Sequence, residues 1–353
     1  MSKIIASSGL YNYQTIQAEL LIREAFELIG IPGSLVVLEQ LEGAARSINF
    51  LLTDLVNQNI NLWTLQRVLF SLTPGVTSYL LANTLVKVLQ VNLRNSYREL
   101  NSATATEIPK ASTGIAGNAF DADSTTACTQ TLVNGYIYYQ FTTPQQITFL
   151  GIQSNTTRTY TLQLSASNTG VDNSWINLNT PIATAYAEGT IVWFDISNIN
   201  NYLYYKITEI GGAFLDITEI YLNDQVVDTA LSEITLDAYL RLPIKTNIGR
   251  PTIYAIDYQI IPQLNLWQAP DNQYNCLVIN YQNMIQSLSS YTESINIPNY
   301  FYQAIIYGLA KSLAMKYAPD KLQYIGPEYD RALQLCLTKN TNTLPLNFKL
   351  HVN

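Results

Sequence analysis

The side chains best suited to chemistry in this chain are oxygen donors. In the stretch NAFDADSTTACT, Asp121, Asp123 and Thr126 share one short loop, and Glu219 follows much later in DITEIYL. Carboxylates and a hydroxyl at such spacing suit a hard cation, and Ca2+ accepts irregular cages of oxygen ligands. The same residues also suit an Asx-turn loop with solvated acids, since Asp side chains bond their own backbone two residues on. Trp175, in DNSWINL, has two readings as well: packing against the fold, or stacking on a sugar ring.

Most catalytic chemistry is missing. The one histidine is His351, so no Ser-His-Asp triad and no histidine zinc site can be assembled. No glycine-rich phosphate loop, dinucleotide fingerprint or nucleophile elbow occurs. The acids could supply a carboxylate pair, but their spacing selects none. The expectation is a protein with no catalytic residues, no required cofactor and at most a structural Ca2+. Cys128, Cys276 and Cys336 lie far apart, which indicates neither a disulfide framework nor a zinc site and points to a reducing compartment. The chain shows no run long enough for a signal peptide or membrane span, so a soluble, unexported protein is expected.

The elements that must position these residues divide by texture. Leu21, Ala25, Leu28 and Ile22, Phe26, Ile29 form two rows of a helix that GIPGS ends. Leu38, Leu41, Ala45, Ile48, Leu52 and Leu55 step by three and four, one narrow stripe that needs a partner helix. VLFSLTPGVTSYLL predicts a hairpin around Pro74-Gly75, and Leu85 to Arg94 a further strand. From about residue 102 to 228, short β-prone runs such as YIYYQFTT, TIVWFDIS and YLYYKITEI alternate with Asn, Gly, Thr and Ser, the pattern of an all-β sandwich. Helical texture returns at LSEITLDAYLRLP, strands follow to about residue 282, and two helices are predicted from Pro298 to Tyr317 and from Pro327 to Lys339.

The fold class expected is therefore multidomain α+β: a helical core with β-hairpin elements (1–101 and 229–340), an inserted sandwich (102–228) and an extended arm (341–353). Charge follows the division. Residues 111–230 hold ten acids against Arg158 and Lys206, a net −8, while the whole chain carries −7. Neither part has the dense Lys and Arg of a DNA-binding surface. Charged residues are only 13% of the chain and tyrosines number 25 against 10 phenylalanines, a composition that suits large, partly wet contact surfaces. Trp63 and Trp267, both in NLW, are candidate core or subunit anchors. In the arm, Leu344, Leu346, Phe348 and Leu350 alternate, so it could order as a strand against a neighbour or stay unstructured.

AARSINFLLTDLVNQNINLWTLQRVLFSLTPGVTSYLL resembles the first half of the podovirus tail accessory factors, also called packaged-DNA stabilisation or head-completion adaptor proteins. The second half of that family is similar to LSEITLDAYLRLPIKTNIGRPTIYAIDYQIIPQLNLWQAPDNQYNCLVINYQ, through Gly249, Pro251, Tyr254, Leu266, Trp267, Pro270 and Asp271, and to the later helix YGLAKSLAMKYAP. The matching blocks, about residues 10 to 94 and 231 to 338, leave out the insert. The insert resembles discoidin-like (coagulation factor type C) and carbohydrate-binding sandwiches through NAFDADSTT, SWINL and ITEIYL, though TACTQ lacks the aromatic usual after the first loop.

These resemblances imply a bacteriophage virion protein, made in the host cytoplasm and placed at the head-tail interface. It would be a head-tail connector, a portal-binding adaptor ring of twelve copies. Such a ring extends the DNA channel toward a tail nozzle, retains packaged double-stranded DNA without sequence specificity and gates ejection. Trp63, Trp267, Tyr254 and the four apolar residues of the arm are then interface candidates. The discoidin resemblance implies a structural Ca2+ at Asp121, Asp123, Thr126 and Glu219. The rival reading is an oligomeric carbohydrate-binding tail adhesin working through the insert.

Overall fold

A computed structural model describes residues 16–58, 64–95, 108–223, 226–272 and 275–340. The chain opens with β1 (Ile16–Gln17), α1 (Ala18–Leu28) and α2 (Leu38–Asn57), then β2 (Leu65–Ser71), β3 (Ser78–Leu80) and β4 (Leu85–Asn95). The next strands are β5 (Ile108–Ala111), β6 (Cys128–Val133), β7 (Tyr136–Gln145), β8 (Phe149–Ser154) and β9 (Arg158–Ser167). Then come β10 (Ile176–Asn177), β11 (Ala183–Tyr186), β12 (Ile191–Asp195), β13 (Tyr202–Glu209) and β14 (Phe214–Asn223). The chain continues through β15 (Val227–Ala230), β16 (Ser232–Glu233), α3 (Leu236–Leu240), β17 (Ile253–Asp257), β18 (Gln263–Trp267) and β19 (Asn275–Asn283). It closes with β20 (Ser294–Ile295), α4 (Tyr302–Tyr317) and α5 (Leu322–Asn340). No helix among the described residues is long and apolar enough to cross a membrane.

Two compact units result, 1–65 with 282–353, and 66–281. The first is helical. Leu41, Ala45, Ile48, Leu52 and Leu55 of the α2 stripe are buried, while Leu38 at its start is 56% exposed. The Gln40 side chain reaches back to accept the Val37 N–H at 3.1 Å, satisfying one of the orphan donors of the first turn. Gly30 (φ +89°) follows the end of α1 in the left-handed conformation that stops helices. One core joins α1 and α2 to α4 and α5 through Phe26, Ile48, Leu52, Ile305, Leu309 and Leu333. Gly308 lets α4 lie close to its neighbours: a Cβ there would meet both Leu51 and Tyr329 at 2.8 Å. The last helix begins at Leu322 instead of Pro327, because Pro319 opens a 3-10 turn that feeds directly into it and Pro327 is carried inside.

Among its described residues the second unit is all-β apart from α3 and the 3-10 turn Ala116–Ala119. Its sandwich has one sheet ordered β10-β9-β13-β7-β5, with β11 also on β9, and another ordered β12-β8-β14-β6. Alternating inward residues such as Ile137, Tyr139 and Phe141 meet Ile152, Ile217 and Ile220 in its core. Buried Glu209 fastens the β13–β14 turn, accepting N–H groups from Thr161, Gly211, Gly212 and Ala213 at 2.7–3.1 Å.

Two further sheets, β15-β4-β19-β2 and β16-β17-β18-β3, share a core that includes Val91, Leu93, Tyr254, Leu264 and Leu277. The hairpin expected around Pro74-Gly75 does not form. Strand β2 pairs with β19 and β3 pairs with β18, so the two enter different sheets. The Gly75 N–H bonds the distant Pro270 carbonyl at 2.9 Å, which turns the connection into a crossover. Strands β17 and β18, in the region where strands were expected, form an antiparallel hairpin, with Ile253 opposite Trp267 and Asp257 opposite Gln263. LSEITLDAYLRLP supplies only the five residues of α3, capped by the Thr235 hydroxyl at 3.3 Å. The stretches flanking the insert are thus as much sheet as helix.

The sandwich hangs on adjacent strands. Strand β4 ends at Asn95 directly opposite Val227, where β15 begins. Phe149 stacks on Trp193 at 5.1 Å, and both cluster with Tyr221 and Cys276, joining the sandwich to the β15-β4-β19-β2 sheet. Gly151 makes that stacking possible, since a Cβ there would lie 2.3 Å from the Trp193 ring. Gly151→Ala is expected to cost about 1–3 kcal/mol through overpacking, measured as a lower denaturation midpoint.

Candidate metal centre and ligand surfaces

The loop after the 3-10 turn Ala116–Ala119 is wound around its own carboxylates. Asp121 Oδ1 accepts the Asp123 N–H at 3.0 Å, and its Oδ2 accepts the Thr126 hydroxyl at 2.8 Å. Asp123 Oδ1 accepts both the N–H (2.9 Å) and the hydroxyl (2.7 Å) of Thr125, which holds the exposed carboxyl below its usual range. Ala122 between them has φ +58°, left-handed backbone that a non-glycine residue rarely adopts. The Asx-turn reading of this loop therefore holds as far as it goes.

Glu219 adds what an Asx loop does not need. It projects from β14 with 2% exposure, and its Oε1 has no hydrogen-bond partner. Burial pushes its carboxyl up to about 8, helped by the charge of Asp121 and a hydrogen bond to the Asp121 side chain. Two carboxyl groups share a hydrogen bond only if one holds a proton. A cation between them would remove that need, since a positive charge favours the ionised forms. Among the described residues no three His, Cys, Asp or Glu groups converge as a ready-made metal cage. A cation here would have to draw on the Asp121 and Glu219 carboxylates, the Thr126 hydroxyl, backbone carbonyls and water, because Asp123 turns its Oδ1 to Thr125; Ca2+ tolerates such a mixed oxygen set and Zn2+ does not. The buried Glu219 Oε1, with no hydrogen-bond partner among the described residues, is the one observation that favours an ion here.

Trp175 belongs to an aromatic patch on the outer face of the larger sheet. Its ring lies 6.0 Å from Tyr138 and 6.3 Å from Tyr204, and Lys206 Nζ sits 4.0 Å from its centroid. Burial lowers the Lys206 ammonium from its ordinary range, and nearby Asp172 opposes the shift. Sequence reasoning missed Tyr138, Tyr204 and Lys206, although a signal existed. In YIYYQ and YLYYK the strand period sends Tyr139 and Tyr205 into the core and leaves Tyr138, Tyr204 and Lys206 outward, where Lys206 faces Tyr138 across the strands.

A third feature is a cavity of about 650 Å³ between the two sheets of the sandwich. Leu150, Ile152, Leu162, Leu164 and Ile207 wall it, and the chain from Asn177 to Thr184 forms its rim.

Among the interface candidates, Trp267 donates its Nε1–H to the Pro243 carbonyl at 3.4 Å, and Tyr254 is core, 2% exposed. Trp63, Leu344, Leu346, Phe348 and Leu350 lie outside the described residues. All three cysteines are buried. Burial raises the Cys128 thiol to about 11 and the Cys276 thiol to about 12, so neither supplies a thiolate near neutral pH.

No protein-family model matches the sequence, and no curated protein matches it. Similar solved structures include an F5/8 type C domain from Bacteroides fragilis, 12% identical, with TM-score 0.32, covering 37% of this chain and 97% of its own. A CBM32 domain from Clostridium perfringens in complex with GalNAc-beta-1,3-galactose is 13% identical, with TM-score 0.28, covering 33% of this chain and 95% of its own. A pectin-binding carbohydrate binding module is 18% identical, with TM-score 0.29, covering 33% and 88%. The inserted part of this chain is itself an all-β sandwich, the architecture expected for a discoidin-like domain.

Proposed function

We propose that this chain is a non-enzymatic structural subunit that assembles into a ring and connects a phage head to its tail, with the portal and tail proteins as neighbours. The observation that carries the reading is the closure of the two resembling blocks on each other. Helices α1 and α2, from the first block, share one core with α4 and α5, from the second, more than two hundred residues later. The sandwich interrupts that sequence as a cassette on paired strands. Mechanism here means docking and gating, with no bond broken. A near-neutral body outside residues 111–230 suits a channel that must release DNA, because every phosphate neutralised would slow ejection.

The outer face of α2 supports self-association. Along the row Glu39, Glu42, Arg46 and Phe50, the phenylalanine is 72% exposed among charges. Phe50→Ser is expected to leave stability within about 0.5 kcal/mol while weakening ring formation. Mass photometry of the chain with its portal ring tests the whole reading: a portal-bound species of fixed stoichiometry is expected. A chain that stays monomeric or trimeric and ignores the portal would overturn it.

The second reading, a glycan-binding adhesin, is favoured by the half-buried Trp175 beside Tyr138 and Tyr204, a surface on which a sugar ring could stack. Retention of glycans on an array, lost in Trp175→Ala, would select it.

A further inference from the structure

We infer that the cavity between the sandwich sheets is a binding site for an uncharged amphiphile with a single aliphatic chain. The inference is independent of ring assembly and of the Trp175 surface. The cavity runs between β8 and β12 of one sheet and β9 and β13 of the other. The space, about 650 Å³, is a cleft that opens to solvent past the exposed Ile182 and is floored by buried aliphatic side chains. It falls within the range of small-molecule sites.

The walls choose the tail. Leu150, Ile152, Leu162, Leu164 and Ile207 present aliphatic carbon, each of them 8% exposed or less. Water would be a poor occupant, because a buried water needs two to four polar partners. The nearest polar groups are already engaged. Asn179 Oδ1 accepts the Leu164 N–H and the Gln163 amide, both at 2.8 Å, while its own amide donates to the Leu162 carbonyl at 2.9 Å. Asn177 Oδ1 accepts the Ser165 hydroxyl at 3.0 Å.

The rim chooses the head. Thr180, Thr184 and Ser197 carry hydroxyls, that of Thr184 donating to the Ile182 carbonyl and left as an acceptor, and among the described residues no Lys, Arg or His lines the cavity. Its one charge is the Asp195 carboxylate, which faces Arg94 at 2.7 Å and Arg67 at 3.1 Å. An anionic head would meet a carboxylate and no free cation, whereas hydroxyl or amide heads find partners. Ile182, 73% exposed beside the rim, is apolar surface that a chain entering the cavity would cover.

The test uses the full chain and the fluorescence of N-phenyl-1-naphthylamine, an apolar reporter, with 1-decanol and decanoate as competitors. Saturable binding of one probe per chain is expected, displaced about tenfold better by decanol than by decanoate, since a buried carboxylate has no partner there. Leu164→Phe, which fills the cavity, and Thr184→Trp, which narrows its rim, should each weaken the probe about tenfold, while Trp175→Ala leaves it unchanged. If Leu164→Phe does not fold, Thr184→Trp decides alone. Absence of saturable binding, equal competition by decanoate, or binding untouched by a folded variant would overturn the assignment.

Discussion

Calcium is expected to stabilise the chain and to abolish its loss of stability with rising pH in the range where Glu219 titrates. In chelator, Glu219 ionises near 8 in the folded state and near 4.5 when unfolded. Its folded pKa is raised, so the native state binds the extra proton and stability falls as pH climbs from about 4.5 to about 8. By pH 8 the loss amounts to about 3–5 kcal/mol, because each pKa unit is worth 1.36 kcal/mol. A bound cation pairs with the ionised form and removes that slope. At roughly a hundred times its dissociation constant, Ca2+ should add about 2.7 kcal/mol. Glu219→Gln separates the two effects. Lacking the charge, it should be more stable than the parent at pH 8 in chelator, yet gain nothing from Ca2+. Thermal melts at pH 5 and 8, with and without Ca2+, read both outcomes, and a parent chain indifferent to Ca2+ would remove the metal centre.

The second large effect is expected at Arg94, which is 5% exposed at the junction of the sandwich and its supporting sheet. Its guanidinium grips Asp228 through two bonds of 2.6 and 2.7 Å, reaches Asp195 at 2.7 Å and lies 4.9 Å above the Phe149 ring. Arg94→Ala removes the buried member of the cluster, and because Asp195 and Asp228 are 44% and 32% exposed and can hydrate, the loss of its charged hydrogen bonds and packing should cost about 1–3 kcal/mol. Arg94→Lys should recover little, because an ammonium cannot reproduce the planar fork. The pH signature runs opposite to that of Glu219. The guanidinium holds the Asp228 carboxyl below its usual range, so the stabilisation is present above the unfolded value near 3.8 and disappears as pH falls through the lower native one. Denaturant unfolding of Arg94→Ala at pH 7 and pH 3 checks this: the difference from the parent should shrink at the lower pH.

Local pattern carried much of the fold. The three-four stepping of Leu41 to Leu55 specified α2, and the alternation in YIYYQ and YLYYK specified which tyrosines enter the sandwich core. Pairing across long separations was not legible. Nothing near Pro74-Gly75 indicates that β2 belongs beside β19 and β3 beside β18, because those partners lie about two hundred residues away. Tyr254 looked like an interface residue for the same reason: the core that it enters is shared with Val91 and Leu93 of the distant β4. In the acidic loop, Asp121, Asp123, Thr126 and Glu219 could be named as oxygen donors from residue type. The buried, unpartnered Oε1 of Glu219, on which the cation argument turns, is visible only in three dimensions.

The pairing of Asn95 with Val227 has a consequence for how the chain folds. Joining those strands while the intervening chain is still random closes a loop of roughly 130 residues, at an entropy cost of about 4 kcal/mol. A sandwich that folds first brings its own ends together and removes most of that cost. The insert then acts as a template for the sheet that carries it, and whatever slows the sandwich delays formation of the β4–β15 ladder as well.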